Sequence, residues 1–213
     1  MIEIDGSSGE GGGQILRTAL GLSAALQKPF RIFNIRINRK KPGLMPQHLM
    51  AVRAMKIISG ATVTGDSPGS MELMFRPARV KPGAYTFDIG TAGSTSLLLQ
   101  ALLPPLVFAD ESSSLVLKGG THVPFSPPFH YISAVFLPVL NRLGIGLTAA
   151  IEHYGFYPQG GGSISVSISP QRNPRGLTMR ERGVVREITG ISGVGNLPLT
   201  IAERQARAAR EIL

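Results

Sequence analysis

Two glycine-rich segments stand where a short strand-like run gives way to an apolar, helix-like stretch. The first is Asp5–Arg17, with the sequence DGSSGEGGGQILR, and the second is Asp88–Gln100, with the sequence DIGTAGSTSLLLQ. Glycines at such a junction let backbone N–H groups approach a bound anion, and the N-terminus of the following helix adds partial positive charge. The pattern therefore predicts loops that hold an anion such as phosphate. It is neither a Walker A sequence nor a complete dinucleotide-binding fingerprint, so it does not identify the ligand.

Two charged residues in the first segment could take part in such a site. Glu10 is the only carboxylate between Gly6 and Gly13. A carboxylate beside a phosphate-binding turn suits a divalent metal that bridges to phosphate oxygens, although the helix dipole alone would also stabilise it. Arg17 lies one turn into the helix, where a guanidinium that folds back can clamp phosphate with two hydrogen bonds. Exposed helical arginines are also common, so both interpretations of Arg17 stay open.

A second candidate is the basic loop Arg36–Gly43, with the sequence RINRKKPG, which concentrates four cations between a strand and a helix. Gln47 and His48 lie at the start of that helix. A basic loop ahead of a helix N-terminus suits polyphosphate or RNA phosphate, and a solvated turn is the alternative. Protonation of His48 is disfavoured near a helix N-terminus, which fits a neutral hydrogen-bonding role or an ordinary surface histidine.

Two later loops are poor in charge. Gly119–Pro128, with the sequence GGTHVPFSPP, is apolar and stiff, which suits packing on a flat base better than gripping phosphate. Gly155–Gly162, with the sequence GFYPQGGG, contains three consecutive glycines. Such a run indicates either a close backbone approach or a long hairpin loop. No Ser/His/Asp triad and no metal-ligating histidine pair can be read from the spacings.

Length, charge and composition bound the class of protein. The 213 residues include 43% hydrophobic and 16% charged residues, ordinary values for a globular chain with a proper core. The formal net charge of +9 favours a polyanionic partner such as nucleic acid or a nucleotide. The absence of cysteine excludes disulfides, thiolate metal sites and a cysteine nucleophile. Aromatic residues are few and tryptophan is absent, so no stacking platform for single-stranded bases is indicated.

The apolar segments do not suggest a membrane partner. The chain starts directly with a strand-like run and lacks the basic start and apolar stretch of a signal peptide. The most apolar run, Leu97–Val107, is short and is interrupted by Gln100 and the pair Pro104 and Pro105. We therefore expect a soluble, cytoplasmic protein without a membrane partner.

Periodicity predicts a duplicated unit of strands and helices. The first copy has predicted strands at 2–4, 30–37, 61–64 and 71–75 and predicted helices at 13–26 and 46–58. The second copy has predicted strands at 85–89, 114–118, 146–152 and 163–169 and predicted helices at 94–108 and 127–143. Gly6 and Gly90 are 90 − 6 = 84 residues apart, and Gly60 and Gly144 are 144 − 60 = 84 apart. This shared offset supports duplication of a βαβαββ unit and predicts an α/β (α+β) fold with helices packed on sheets.

The expected domain organisation has three parts. Residues 1–80 form the first repeat, residues 81–170 form the second, and residues 171–213 form a linker and the start of an inserted small domain. In that last part, 177–191 is strand-like and basic, and 199–213 has the pattern of an amphipathic helix. One strand and one helix supply too little core for an independent domain, so we expect this part to be incomplete by itself.

Three ordered motifs together resemble the RNA 3'-terminal phosphate cyclase family. They are the first glycine-rich segment Asp5–Arg17, the stretch Lys41–Leu49 (KPGLMPQHL) and the loop Gly155–Gly162. The resemblance covers residues 1 to about 170 almost continuously and extends more loosely into the tail. It implies repeated βαβαββ units like the C-terminal domain of a translation initiation factor, with a smaller inserted domain.

The resemblance further implies a reaction. An enzyme of this family would use ATP and a divalent metal, Mg²⁺ or Mn²⁺, to convert the 3'-terminal phosphate of RNA to a 2',3'-cyclic phosphate. In the family a histidine attacks the α-phosphate of ATP to give a covalent enzyme–AMP species. AMP then passes to the RNA 3'-phosphate, and the neighbouring 2'-hydroxyl displaces it. The implied partners are ATP and RNA with a 3'-phosphate end. The resemblance leaves open whether the chain forms a homo-oligomer.

Site residues follow from the resemblance position by position. Glu10 would hold the metal, and Pro127 would pack against adenine. The residues implied to contact the phosphates or line the same pocket are Arg17, Arg36, Arg39, Gln47, His48 and Gln100. The family's nucleophilic histidine lies in a later repeat, so we expect it beyond Leu213. None of the four histidines here, His48, His122, His130 and His153, matches its motif, and Tyr154 stands where the family usually has a basic residue.

Three alternatives compete with the cyclase interpretation. A non-catalytic relative that binds RNA in ribosome assembly is disfavoured because this chain keeps Glu10, Arg17, Arg39 and His48, which such relatives tend to lose. The enolpyruvyl transferase class also uses repeated βαβαββ units on anionic substrates, and the Gly155–Gly162 motif disfavours it. A generic basic RNA-binding module would bind RNA in a salt-dependent way without any dependence on ATP.

Overall fold

The computed structural model describes all residues from Met1 to Leu213. The chain divides into two compact units, a large one at Met1–Arg175 and a small one at Gly176–Leu213. The large unit holds both sheets, whereas the small one holds a single helix. No helix of the chain combines the length and the apolar character that crossing a bilayer requires.

The first half of the large unit is a four-stranded mixed sheet with two helices. Its elements are β1 (Ile2–Asp5), α1 (Gly13–Leu26), β2 (Phe30–Phe33), α2 (Pro46–Ser59), β3 (Thr62–Thr64) and β4 (Leu73–Arg76). The strand order is β1-β2-β4-β3. β1 and β2 are parallel, as a βαβ crossover requires, and β4 runs antiparallel to both β2 and β3.

The second half repeats this arrangement. Its elements are β5 (Ala84–Asp88), α3 (Thr95–Val107), β6 (Ser113–Gly119), a helical run made of α4 (Phe129–Tyr131), a π-helical segment (Ile132–Phe136) and α5 (Leu137–Arg142), and then β7 (Leu147–His153) and β8 (Gly162–Ile168). The strand order β5-β6-β8-β7 and the strand directions match those of the first sheet. The predicted α/β fold of tandem βαβαββ units is therefore confirmed.

The helices of the two halves pack on each other. Leu16 and Leu20 of α1 are fully buried, as are Leu99 and Leu102 of α3. α1 approaches α3 so closely at Gly21 that a Cβ there would lie 2.9 Å from the backbone oxygen of Ala101. Because no larger residue fits this crossing, Gly21 lets the two helices share one core.

Two predicted elements differ in detail from the structure. β2 ends at Phe33 instead of continuing to Ile37, because Asn34 and Arg36 adopt left-handed backbone conformations with φ of 56° and 55°. The helix predicted at 127–143 contains the π-helical segment Ile132–Phe136. Pro138, at the start of α5, has no backbone N–H to donate, so a regular α-helical ladder is interrupted near this point.

The small unit contains the predicted amphipathic helix as α6 (Leu199–Ile212). The strand expected at 177–191 is absent, so that prediction was wrong. A strand needs a neighbouring strand for its backbone hydrogen bonds, and Val184 and Ile191 are 89% and 82% exposed instead of facing a core. The one buried apolar side chain of this unit is that of Ala202. The hydroxyl of Ser192 donates to the Ala202 carbonyl over 2.8 Å.

Candidate functional site

All eight site residues named from the sequence line one cavity of about 630 Å³ in the large unit. The cavity draws on both halves of that unit. The first half supplies the end of the glycine loop, the start of α1, the loop after β2 and the start of α2. The second half supplies α3, the loop after β6 and the π-helical segment. The eight predicted residues are Glu10, Arg17, Arg36, Arg39, Gln47, His48, Gln100 and Pro127.

Arg17 is a buried cation without a partner. Its side chain folds back toward the glycine loop, where Nη1 lies 3.0 Å from the position of a Cβ on Gly13. The residue is 9% exposed, and it takes part in none of the ion pairs of the chain. Its Nε has no hydrogen-bond partner, and burial lowers the pKa of the guanidinium. A buried charge in this state is costly unless an anion pairs with it.

Ser96, in the first turn of α3, carries the other unpartnered polar atom. The Ser96 hydroxyl oxygen and the Arg17 Nε are the only two buried side-chain nitrogen or oxygen atoms in the chain without a hydrogen-bond partner. Both residues line the cavity. Since buried polar groups are nearly always paired, two such atoms at one cavity indicate a polar ligand.

His48 presents a neutral imidazole beside Arg17. Its Nδ1 accepts a hydrogen bond from the backbone N–H of Met45 over 3.2 Å, so the neutral ring carries its proton on Nε2. Burial, followed by the charges of Arg36 and Arg17, lowers the pKa of His48 to about 3. The ring lies against Gly13, where a Cβ would come 2.7 Å from Cδ2 and closer still to Nε2. His48 is therefore a hydrogen-bond donor near neutral pH and not a cation.

Arg36 is held in place by its own loop. Its Nη1 donates to the carbonyl oxygens of Lys41 and Gly43 over 2.8 Å and 2.7 Å. These bonds help to maintain the left-handed backbone at Arg36, which is unfavourable for a residue with a side chain. Burial, and then the charge of Arg39, lowers the pKa of Arg36. The guanidinium is thus a positioned cation at the cavity.

Glu10 and Arg39 form an ion pair at the rim. Arg39 Nη2 donates to a carboxylate oxygen of Glu10 and, over 3.1 Å, to the Glu10 backbone oxygen. The Glu10 side chain is 81% exposed, so this pair is readily exchanged for other partners. The cavity is lined by three arginines and one carboxylate, which leaves a net charge of 3 − 1 = +2.

The rest of the wall is largely apolar. Leu97 and Leu99 of α3 line it, together with Phe125 and Pro127 of the loop after β6. The helical run adds Tyr131, Ile132 and Phe136. A cavity with a cationic part and an apolar, partly aromatic part suits a ligand that combines anionic groups with a flat ring.

Some lining residues escaped the sequence analysis. Ser96 lies four residues before Gln100, and such a pair shares one face of a helix, so helical spacing could have indicated it. Ile132 and Phe136 reach the cavity from the π-helical segment, for which the sequence gives no comparable signal. Lys40 and Lys41 of the basic loop do not line the cavity.

A fold of tandem βαβαββ units around such a cavity defines a class of α/β proteins, and comparison with known proteins specifies the family. The family model described as RNA 3'-terminal phosphate cyclase matches residues 8–204. The chain therefore belongs to the RNA 3'-terminal phosphate cyclase family.

Curated relatives that carry the same name are similar along the whole chain. The relative from Sulfolobus acidocaldarius is 51% identical over 214 aligned residues, which cover 100% of this chain and 63% of the relative. Relatives from Staphylothermus marinus and Koribacter versatilis are 49% and 48% identical, with all of this chain and 60% of each relative covered. The chain thus spans about three fifths of the length of these relatives.

A solved EPSP synthase from Acinetobacter baumannii matches 84% of this chain and 49% of its own, with 9% identity and a TM-score of 0.36. A likeness at this level carries no argument about fold or function.

Proposed function

We propose that the cavity binds ATP and that this chain provides the nucleotide site of an RNA 3'-terminal phosphate cyclase. The proposed reaction converts the 3'-phosphate of RNA to a 2',3'-cyclic phosphate through enzyme–AMP and RNA–adenylate intermediates. The name shared by the family model and the curated relatives supports the reaction. The observation that carries the site is the buried guanidinium of Arg17, which has no anionic partner within the chain.

The triphosphate of ATP fits the cationic part of the cavity. Its charge would pair with Arg17, Arg36 and Arg39, which stand near the glycine-rich start of α1. Arginine binds phosphate with two parallel hydrogen bonds. The neutral His48 would add a hydrogen bond from Nε2 to a phosphate oxygen without adding charge, because its pKa is lowered to about 3. Gln47 and Gln100 would donate their amide N–H groups.

The adenine ring fits the apolar part. Pro127 and Phe125 offer flat or rigid surfaces on one loop, and Leu97 lines the wall on α3. Base stacking on such surfaces depends little on base identity, so this wall is proposed to hold the ring without selecting strongly among purines.

Glu10 is the residue proposed to hold a divalent metal. Magnesium is commonly bound by one or two carboxylates together with phosphate oxygens and water, and Glu10 is the one carboxylate that lines the cavity. No group of three or more His, Cys, Asp or Glu side chains gathers anywhere in the chain, so the ion would take most of its ligands from phosphate and water. The donor set therefore suits Mg²⁺ or Mn²⁺ bound together with phosphate, and the ion would offset phosphate charge. Glu10 would first have to leave Arg39.

The proposed chemistry consists of three displacements at phosphorus. A histidine nitrogen bonds to the α-phosphorus of ATP as the bond to the β-phosphate oxygen breaks and pyrophosphate leaves. An oxygen of the RNA 3'-phosphate then takes the AMP phosphorus from the histidine. Finally the 2'-hydroxyl loses its proton and attacks the 3'-phosphorus, and AMP leaves. The arginines stabilise charge on the attacked phosphate, and positioning supplies further acceleration. The nucleophilic histidine is expected outside residues 1–213.

Calorimetric titration of ATP and Mg²⁺ into the 213-residue chain tests the binding step. We expect one site, and we expect Arg17→Met to weaken binding by about 100-fold, because a hydrogen bond to a charged group contributes about 1.5–3 kcal/mol and Arg17 can make two. Arg53→Met is the matched control, since Arg53 is exposed on α2 and does not line the cavity. Equal affinity of the wild-type chain and Arg17→Met would contradict the proposed site.

Covalent labelling tests the reaction. With ATP radiolabelled at the α-phosphate, we expect no acid-labile label on the 213-residue chain alone, because none of its histidines is proposed as nucleophile. A chimera in which residues 1–213 replace the matching part of the Sulfolobus acidocaldarius relative should become labelled and should cyclise RNA 3'-phosphate ends. A folded chimera that binds ATP but does neither would overturn the enzymatic proposal and favour the non-catalytic RNA-binding alternative.

A further inference from the structure

Four aromatic side chains gather on loops of the second half, although the sequence indicated no stacking platform. They come from two loops that are distant in the chain. His122 and His130 belong to the loop after β6 and to α4, and Tyr154 and Phe156 belong to the loop between β7 and β8. We call this group the aromatic cluster. It serves no step of the proposed nucleotide site.

Three rings of the aromatic cluster pack against one another in a triangle instead of a column. The ring centroids of His122, Tyr154 and Phe156 are separated by 5.3, 5.7 and 6.2 Å, which makes a nearly equilateral triangle. The Tyr154 ring is tilted by only 27° from that of His122 and by 14° from that of Phe156. Rings at these distances form one compact aromatic group that is built from two loops.

Two residues of the aromatic cluster are exposed to solvent. Tyr154 is 54% exposed and Phe156 is 40% exposed. Phenylalanine is among the residue types most often buried, and tyrosine is intermediate. Two such residues that are exposed together, on a structured loop, indicate a surface for a ligand instead of a small satellite core.

Hydrogen bonds hold the cluster in place. Nε2 of His122 lies 2.8 Å from Nδ1 of His130, and Nδ1 of His122 lies 2.9 Å from the Thr121 hydroxyl. The Thr121 hydroxyl also accepts from the backbone N–H of Gly155 over 2.9 Å, which joins the two loops. A platform fixed in this way loses little conformational freedom when a ligand binds.

The cluster shares its loop with the cavity. His122 and Phe125 are three residues apart, so their Cα atoms are separated by at most about 11 Å, and Phe125 lines the cavity. His130 directly precedes Tyr131, which also lines it. A ligand in the cavity and a base on the cluster would therefore contact the same loop.

We propose that the aromatic cluster stacks an unpaired base at or next to the 3' end of RNA, with Tyr154 and Phe156 as the main contact surface. The inference rests on the proposed function, because it places the 3'-phosphate of that RNA near the cavity. Single-stranded bases stack on exposed aromatic side chains whatever their identity. The net charge of +9 complements the RNA backbone.

The test uses an RNA oligonucleotide that ends in a 3'-phosphate and carries 2-aminopurine as its last base. Binding to the 213-residue chain should quench the fluorescence of that base, since stacking quenches it. Tyr154→Ala should remove most of the quenching and weaken RNA binding about tenfold, because one stacked base contributes about 1–3 kcal/mol. Tyr154→Phe should behave as the wild-type chain. Phe108→Ala is the matched control, because Phe108 is 47% exposed and lies outside the cluster.

An RNA whose last nucleotide lacks a base completes the test. The wild-type chain should bind it about as weakly as Tyr154→Ala binds the intact RNA, and Tyr154→Ala should lose nothing further. Unchanged quenching in Tyr154→Ala, or an equal loss in Phe108→Ala, would overturn the inference. Titration of each variant with ATP separates the two proposals. Failure of ATP to bind the wild-type chain contradicts the nucleotide site alone, whereas ATP binding weakened by Tyr154→Ala would assign the cluster to adenine instead of RNA.

Discussion

The two glycine-rich loops of the large unit begin alike and lie in different surroundings. In the first loop Gly12 and Gly13 line the cavity, where a Cβ on Gly12 would lie 3.1 Å from Nη2 of Arg39. The second loop is packed against other backbone. A Cβ on Gly160 would lie 2.9 Å from Cα of Ala92, and a Cβ on Gly119 would lie 2.5 Å from the Gly93 oxygen.

Glycine spacing predicts where the backbone is closely approached, but it does not predict which groups approach it. In each loop at least one glycine permits a close approach by side chains. At Gly12 and Gly13 of the first loop the approaching groups are guanidinium and imidazole side chains that can bind an anion. In the second loop a Cβ on Gly93 would lie 2.6 Å from Cγ2 of Ile89 and 2.9 Å from Cβ of Gln47, which are aliphatic carbons that cannot bind an anion. A glycine thus marks a position that another group approaches closely. The chemistry of the neighbouring side chains determines whether a ligand can bind there.

The largest expected effect comes from Gly13→Ala in the first loop. The added methyl group would displace the His48 ring and crowd Arg17, so we expect ATP affinity to fall about 100-fold by calorimetry, from the loss of one or two strong hydrogen bonds. Gly90→Ala in the second loop is the matched control. Gly90 has φ of 72° and open space around it, so the change should cost about 1–2 kcal/mol of folding free energy and leave ATP affinity unchanged. Equal losses of ATP affinity in both variants would remove the distinction between the loops.

The next effect is a pH dependence that belongs to His48. Its pKa is about 3 in the folded chain and about 6.5 when unfolded. The unfolded chain therefore binds a proton that the folded chain does not between these values. Stability that is fully present above pH 6.5 should fall as the pH drops toward 3, by about 1.4 kcal/mol per pH unit at most.

Urea unfolding between pH 4 and pH 8 checks this prediction. Each curve combines every titrating group, so the informative quantity is the difference between the wild-type chain and His48→Asn. That difference should shrink steadily below pH 6.5. A difference that stays constant across the range would show that His48 is accessible to protons in the folded chain.

A smaller effect concerns the crossing that joins the two halves. Gly21→Ala places a methyl group 2.9 Å from the Ala101 oxygen, and overpacking of this kind costs about 1–3 kcal/mol of stability. Gly176→Ala should leave the unfolding midpoint nearly unchanged, since that position has open space. If Gly21→Ala were as stable as the wild-type chain, the close contact between α1 and α3 would be wrong.

The smallest effect has the opposite sign. Arg17→Met keeps most of the side-chain volume and removes the buried, unpartnered charge, so the unliganded chain should become more stable by about 1 kcal/mol. Thermal unfolding without nucleotide measures it. Destabilisation by several kcal/mol would mean that Arg17 has an anionic partner within the chain.

Local signals predicted the elements well where glycine or proline marks a boundary. α1 begins at Gly13 and ends at Leu26 as predicted, and α2 begins at Pro46. Elements without such a mark were less predictable. The tail at 177–191 has the composition of a strand but no strand to pair with, and the π-helical segment depends on how the run before Pro138 packs.

The site could be predicted only in part. The glycine loop, the basic loop and the family resemblance led to eight residues that lie around one cavity, and their individual roles stay predictions. Helical spacing from Gln100 could have indicated Ser96 as a lining residue, but neither its lack of a hydrogen-bond partner nor the aromatic cluster was foreseeable. Each depends on contacts between distant segments, as when Thr121 bonds to Gly155 and brings His122 against Tyr154.

A crystal structure of the chain with ATP and Mg²⁺ tests the central claim most directly. We expect the triphosphate at the first glycine loop, within hydrogen-bonding distance of the Arg17 guanidinium and of Nε2 of His48. ATP bound instead at the second loop, beside Asp88 and Lys118, would contradict it. So would a cavity that stays empty at saturating ATP.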